Sequence, residues 1–304
     1  MTSGDTAIET ADLAKRYGGL VALAGLSMRI PHGDVFGFLG PNGAGKTTAV
    51  KLLLGLSRPT SGEARLLGAS LDDARAHREA RRRVGYLPEL FRYQGWLTAR
   101  EVLGVHADLA GLPRSEAPPE IARVLGVVGL AARAGDRVAN YSKGMQQRLG
   151  LAVALLGRPA LVMLDEPTSA LDPVGRHDVR EIIRALKAEG VTVFLNSHLL
   201  SEVEQVCDRV AIVDRGRVIA QGTFEELLAG DTVHLRVTGG VPDDLDRFGT
   251  LDREGDRLVV RGIARERIPD LVAALVAAGA RVHEVRPAQE SLEDRFLSLL
   301  GHDA

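Results

Sequence analysis

One cysteine, Cys207, stands among the 304 residues. A single thiol closes no internal disulfide, so a stapled extracellular scaffold is excluded and a reducing compartment is expected. Aromatic residues are also scarce: 7 Phe, 4 Tyr and 1 Trp. Neither charge dominates, with 38 Lys plus Arg against 40 Asp plus Glu and a formal charge of -2. No global basic field therefore draws the chain to nucleic acid or anionic lipid. No apolar run approaches the roughly 20 residues that cross a bilayer; the most apolar stretches, Leu149 to Gly157 and Leu271 to Ala280, fall well short. If the protein works at a membrane, another polypeptide must supply the spanning helices. The opening MTSGDTAIETADLAK has neither the basic nor the apolar region of a secretory signal, which gives the expectation of a cytoplasmic protein. What remains is ordinary globular material, 45% hydrophobic and 26% charged. Its length is about twice the roughly 150 residues of one domain, so one large or two unequal domains are expected.

Strand-like and helix-like segments alternate up to about residue 230, the pattern of a layered α/β domain. Val35 to Leu39, Leu161 to Leu164, Val191 to Asn196 and Val210 to Asp214 read as strands of one central sheet, the last closing on an Arg215-Gly216 turn. Lys46 to Gly55 reads as a helix. Residues 97–157 turn helical: Thr98 and Glu101 have capping-box spacing, Pro118-Pro119 precede a second helix, and Met145 to Leu156 makes a third. This is an inserted helical subdomain of a domain spanning 1–230. Composition shifts over 231–304, which has 14 acidic residues, 10 basic ones and no lysine. Strands over Val233 to Val237, Arg257 to Val260 and Val282 to Val285, a helix over Ile268 to Ala278, and a last helix capped by Ser291 and Asp294 make a small α+β appendix.

Gly40-Pro41-Asn42-Gly43-Ala44-Gly45-Lys46-Thr47-Thr48 fits the phosphate-loop pattern G-x-x-x-x-G-K-[ST], between a predicted strand and a predicted helix. Glycines let successive backbone N–H groups converge on phosphate oxygens, and the helix start adds positive partial charge. In this reading Lys46 reaches the β and γ phosphates of a nucleotide and the Thr47 hydroxyl meets Mg2+. Leu161 to Glu166 is an apolar strand ending in two carboxylates at the edge where such sheets bind ligands. Asp165 is the candidate magnesium ligand; Glu166 is the candidate for orienting or deprotonating the attacking water.

Tyr141-Ser142-Lys143-Gly144-Met145-Gln146-Gln147-Arg148 resembles the signature motif of ABC-type ATPases. The resemblance extends to Ser169-Ala170-Leu171-Asp172, similar to the family's D-loop, and to Asn196-Ser197-His198, which ends a strand as the family's switch histidine does. It implies a P-loop ABC ATPase core with a mixed β-sheet and a γ-phosphate contact from His198. Tyr17 corresponds to the aromatic that stacks on adenine; its other reading is a core tyrosine. The resemblance further implies a head-to-tail dimer, with itself or a related ATPase subunit. In such a dimer the signature of one subunit closes on the nucleotide of the other. Ser142 and Gly144 start a helix, either as a second anion-binding end or as a plain N-cap. Two departures stand out. The signature carries Tyr141, Lys143 and Met145 where leucine, glycine and glutamine are commoner, leaving Lys143 to face phosphate or solvent. In Val84-Gly85-Tyr86-Leu87-Pro88-Glu89 the family's Q-loop glutamine is Glu89, which can approach the metal yet only accepts hydrogen bonds.

Phe91, Tyr93 and Trp96 fall within six residues, in the region where the family meets its membrane-spanning partner. They either line a groove for a permease helix or pack inside the helical subdomain. The YLPE segment, the signature and the tail ending Ser291-Leu292-Glu293-Asp294-Arg295-Phe296 resemble ATP-binding subunits of bacterial exporters, including daunorubicin-resistance systems. The resemblance implies a cytoplasmic-face subunit working with a separate integral membrane permease. A soluble ABC ATPase acting on nucleic acid or ribosomes is the alternative. Against it stand the absence of a second fused ATPase half or a long coiled-coil insertion, and of a basic stripe with stacking aromatics. Arg81-Arg82-Arg83, the strongest basic run, is read as a solvated strand edge. A kinase or GTPase reading lacks an Asn-Lys-x-Asp segment and leaves the signature without a role.

Overall fold

Two long strands, β1 (Thr6–Tyr17) and β2 (Leu20–Pro31), pair antiparallel in a computed structural model that describes residues 6–169, 171–228, 231–242, 244–288 and 292–300. Neither is legible as alternation, because β1 is bulged. Asp12 takes φ 47°, the register slips between Thr10 and Leu13, and the Asp12 N–H is bonded by the Ser27 hydroxyl at 2.9 Å. β3 (Val35–Leu39) then runs through the centre of the unit into the phosphate loop and α1 (Lys46–Leu53). β4 (Ser61–Leu66) and the short β5 (Ala69–Ser70) extend the first sheet to the order β2-β1-β4-β5.

α2 (Ala74–Arg81) contains Arg81, so the arginine run ends a helix and is not a strand edge. The His77 ring nitrogen Nε2 donates to the Leu53 carbonyl at 2.8 Å and Arg81 to that of Leu54 at 3.1 Å. Both cap the last turn of α1, while Arg82 pairs with Glu79 at 3.1 Å. β6 (Val84–Leu87) precedes the three helices α3 (Ala99–Leu109), α4 (Ala117–Val127) and α5 (Lys143–Ala154). Thr98 and Glu101 close the capping box on α3, and Pro118 and Pro119 sit in the first turn of α4. These helices interrupt a strand pair: β6 lies parallel beside β7 (Leu161–Asp165), which follows them in sequence.

α6 (Pro173–Ala188), β8 (Thr192–Asn196), α7 (Leu200–Val206), β9 (Arg209–Asp214) and β10 (Arg217–Thr223) complete a six-stranded sheet, β10-β9-β3-β8-β7-β6. The β9-β3-β8-β7-β6 ladder is parallel throughout. β3, β7 and β8 are buried at every position, which is why each reads as an uninterrupted apolar run. Phe36, Phe38 and Phe194 stack across β3 and β8 at the middle of this core.

The chain divides into two units, Met1–Gln221 and Gly222–Ala304; the break precedes the composition shift at 231. At the start of the second unit Thr223 caps the one-turn helix α8 (Phe224–Leu227). β11 (Asp231–Thr238), β12 (Thr250–Glu254), β13 (Arg257–Ile263), α9 (Ile268–Ala277) and β14 (Arg281–Ala288) follow. The strands form an antiparallel sheet, β12-β13-β11-β14, with Val233, Leu235, Val237, Leu258 and Val260 packed under Leu271 and Leu275 of α9. α10 (Leu292–Leu299) is the last helix. Its expected cap, Ser291, lies outside the described residues, as does the Asp294 side chain.

Candidate functional site

The phosphate loop leaves β3 buried and enters α1 with backbone that side chains would obstruct. A Cβ on Gly40 would lie 2.3 Å from the Val213 carbonyl oxygen. Gly45 has φ 101°, and a Cβ there would meet the Ala22 oxygen at 2.4 Å. The Arg215-Gly216 turn supports the loop: the Gly216 N–H donates to the Ala44 carbonyl at 2.9 Å, and its own carbonyl accepts from Ala24 at 3.0 Å.

Gly40, Pro41, Asn42, Gly43, Gly45, Lys46, Thr47, Thr48, Glu89, Asp165, Glu166 and His198 surround one cavity of about 530 Å³. Ala44 is buried beneath the loop and does not line it. Leu20, Val21, Ala22 and Asn196 line it as well, and sequence patterns did not single them out as site residues. Asn196 carried a signal, a polar residue closing an apolar strand. The three wall residues carried none, since β2 reaches the loop through tertiary folding.

Lys46 is buried and donates to the carbonyls of Gly40 at 2.6 Å and Pro41 at 3.2 Å. Burial lowers its ammonium from the usual lysine value, against the upward pull of Glu166, Asp165 and Glu89. The Asp165 carboxyl is pushed up, first by burial; Glu89 and Glu166 add to this, while a hydrogen bond from Asn196 and the charge of Lys46 oppose it. The Asn196 amide donates to Asp165, and its own buried Oδ1 has no partner among the described residues. Glu166 holds φ 51°, a left-handed conformation costly for a side-chain-bearing residue, pinned by its N–H to the Asn196 carbonyl at 2.9 Å. His198 Nδ1 donates to Glu166 Oε2 at 2.7 Å, with the imidazole half exposed on the cavity rim.

The charge balance is informative. One ammonium faces three carboxylates, so a polyphosphate adds to an excess of negative charge that a bound cation would offset. No cluster of three or more His, Cys, Asp or Glu suited to a metal occurs among the described residues. Thr47, Asp165 and Glu89 instead fit a hard cation that keeps phosphate and water oxygens, and the unpartnered Asn196 Oδ1 suits one of those waters.

Three expected residues lie elsewhere. Tyr17 is 46% exposed and does not line the cavity; the Lys15 ammonium sits 4.8 Å from its ring centroid and its hydroxyl is 3.4 Å from Ser57 Oγ. Ser142 caps α5 through the Met145 N–H at 3.2 Å, and neither it nor Gly144 lines the cavity. Tyr141 is buried with its hydroxyl on the Arg133 carbonyl at 2.7 Å, whereas Lys143 faces solvent. The aromatic trio also separates: the Phe91 and Tyr93 rings contact each other at 5.4 Å, Tyr93 meets His106 at 5.7 Å, and Trp96 is left 72% exposed. Packing accounts for the first two, so the single groove of three aromatics is replaced by one free indole. Of the D-loop motif, Ala170 is outside the described residues, Leu171 is buried, and Asp172 caps α6 through Gly175 at 2.8 Å.

The family profile described as ABC transporter matches residues 23–169. The chain is 36% identical to the bacitracin transport ATP-binding protein of Bacillus licheniformis, over 97% of this chain and 98% of that one. It is 36% identical to the daunorubicin/doxorubicin resistance ATP-binding protein of Streptomyces peucetius, over 100% and 95%. A solved ATP-binding subunit of an ABC transporter aligns with TM-score 0.66 at 32% identity, covering 73% of this chain and 92% of the other. With a phosphate loop, a strand-end acid pair and relatives matched over nearly their whole length, the chain belongs to the ATP-binding, ATP-hydrolysing subunits of ABC transporters.

Proposed function

We propose that the cavity takes Mg2+-ATP and that hydrolysis there drives a separate membrane permease in the export direction. The observation that carries this reading is the gathering of the phosphate loop, Asp165, Glu166 and His198 on one cavity while the Ser142–Gly144 helix end lies outside it. A helix start with no phosphate in its own chain has an anion to meet when a second copy, or a related ATPase subunit, closes head to tail. Two sites then lie between two subunits, and neither is complete alone.

Thr47, Asp165 and Glu89 would hold Mg2+, which screens the phosphates and stabilises charge moving to the leaving oxygen. Lys46 exchanges its loop carbonyls for β- and γ-phosphate oxygens. Glu166 orients a water molecule and accepts its proton as the water oxygen bonds to the γ-phosphorus and the bond to the bridging oxygen breaks. His198, seated on the cavity rim by its contact with Glu166 Oε2, is assigned the γ-phosphate contact as a ring N–H donor. Tyr17 offers its face free of Lys15 to the adenine ring, beside the apolar Leu20 and Val21.

No described helix is long and apolar enough to cross a membrane, so the spanning helices are assigned to the partner. Trp96 and the neighbouring Leu90, 87% exposed, are assigned the apolar contact with it, and the chain in this reading works at the cytoplasmic face of the membrane. Export is supported by the relatives named for bacitracin transport and for daunorubicin/doxorubicin resistance, whose cargoes differ. The test is affinity purification of the Glu166→Gln variant with ATP from detergent-treated native membranes. Copurification of an integral membrane protein in constant ratio, with a dimer of the chain, is the expected result. A monomer with ATP, or ribosomes in place of a membrane protein, overturns the reading.

A further inference from the structure

β8 lies between β3, which feeds the phosphate loop, and β7, which ends in the acid pair. Its last residue, Asn196, is opposite Asp165 in the parallel register and lines the same cavity as the loop and the acids. It follows the apolar run Val193, Phe194 and Leu195 and is itself 2% exposed. A carboxamide buried to that extent is costly unless its polar atoms are hydrogen-bonded.

Most of its bonds are made within the site. The Asn196 main-chain carbonyl accepts from the Glu166 N–H at 2.9 Å, and the side-chain amide donates to the Asp165 carboxylate. Its Oδ1 has no partner among the described residues. The neighbouring side chains supply no donor. Ionised Asp165, Glu166 and Glu89 only accept, Lys46 is engaged with the Gly40 and Pro41 carbonyls, and His198 is bonded to Glu166. Thr47 is exposed and makes no hydrogen bond to Asn196. Water is the donor that remains. Because the same amide grips Asp165, the carboxylate assigned to Mg2+, that water belongs beside the cation.

Resting on the Mg2+-ATP reading above, we infer that Asn196 is a positioning and specificity-determining residue of the cation site, which orients Asp165 through its N–H, accepts from a cation-bound water through Oδ1, and so favours Mg2+ over Ca2+. Mg2+ keeps several of its waters in a tight octahedral shell, whereas Ca2+ takes a larger and more flexible set of oxygen ligands. A neutral acceptor placed to meet a retained water therefore suits the hydrated ion. Partners of this kind, one bond removed from the metal, change metal affinity by about tenfold to a hundredfold when lost.

Calorimetric binding of an ATP analogue with a non-hydrolysable imido bridge tests this on the full chain, without metal, with Mg2+ and with Ca2+. Turnover plays no part in the readout. Asn196→Ala should leave metal-free affinity within about twofold, reduce the strengthening by Mg2+ about tenfold and reduce that by Ca2+ much less. Asn196→Asp keeps the shape of the side chain but offers a charged oxygen that can enter the coordination shell, and should move the preference further toward Ca2+. It decides the matter alone if a thermal melt without ligand shows that Asn196→Ala is unfolded. Equal losses for metal-free and metal-bound nucleotide would make Asn196 purely structural and overturn the inference. So would an unchanged ratio of Mg2+ to Ca2+ strengthening in both variants. A parent chain that binds the analogue no more tightly with Mg2+ than without it would remove the Mg2+-ATP reading itself, and the inference with it.

Discussion

Asp165 shows how a site can be held in a state that suits its ligand better than itself. Burial raises its carboxyl above the ordinary aspartate value of 3.8, with Glu89 and Glu166 adding to the shift. A carboxyl raised on folding contributes stability that is fully present below its unfolded value and is lost as pH climbs through the folded one. At neutral pH, ionised Asp165 is therefore a cost to the nucleotide-free fold. Asp165→Asn, which still accepts from Asn196, should raise the melting temperature without nucleotide at pH 7 and narrow its gap to wild type near pH 4. The same variant should lose most of the extra stabilisation that Mg2+ adds to ATP, read by thermal shift with ATP alone and with Mg2+-ATP. Lys46→Ala removes the one ammonium facing three carboxylates, and a titration should show nucleotide affinity falling by about tenfold to a hundredfold. Glu166→Gln should keep binding while lowering turnover by about a hundredfold or more in a phosphate-release assay. These residues were legible because each sits in a short local pattern. The Ala22 carbonyl, which closes against Gly45, was not.

Helices α6 and α7 are joined by Arg180, whose guanidinium meets both oxygens of Glu202 at 2.9 and 2.8 Å with both side chains largely buried. α7 begins two residues after His198, and α6 begins at Pro173, seven residues after Glu166, so this pair ties together the helices that follow two residues of the site. Arg180→Ala would leave a buried carboxylate unpaired, and denaturant unfolding should show a loss of about 3 kcal/mol. Glu202→Gln in the same background should recover part of it. Neither partner was visible in the sequence, where 22 positions separate them within two helical stretches. The parallel strands were visible for the opposite reason: covered on both faces, β3, β7 and β8 cannot alternate. β1 failed to declare itself because the Asp12 bulge breaks its period, and β12, Thr250–Glu254, because its outward residues are polar and its inward ones few.

Taken whole, the chain is an ATPase unit and a second unit with its own core, and coupling to a membrane partner is assigned to exposed side chains of the first. Trp96→Ala should change stability by no more than about 0.5 kcal/mol and leave basal ATP hydrolysis intact, while the permease is lost from a pull-down. Equal loss of stability and hydrolysis would return Trp96 to the packing role that Phe91 and Tyr93 already fill. The phosphate loop, the strand-end acids and the helix caps are legible in the sequence because each is a short local pattern, and the family resemblance is legible because several such patterns follow in order. Which side chains share a cavity, and that Trp96 is exposed while its two aromatic neighbours are packed, emerged only in three dimensions. Those outcomes depend on which surfaces remain uncovered once every apolar face has found a partner, and no local pattern records what will cover a side chain from elsewhere in the chain.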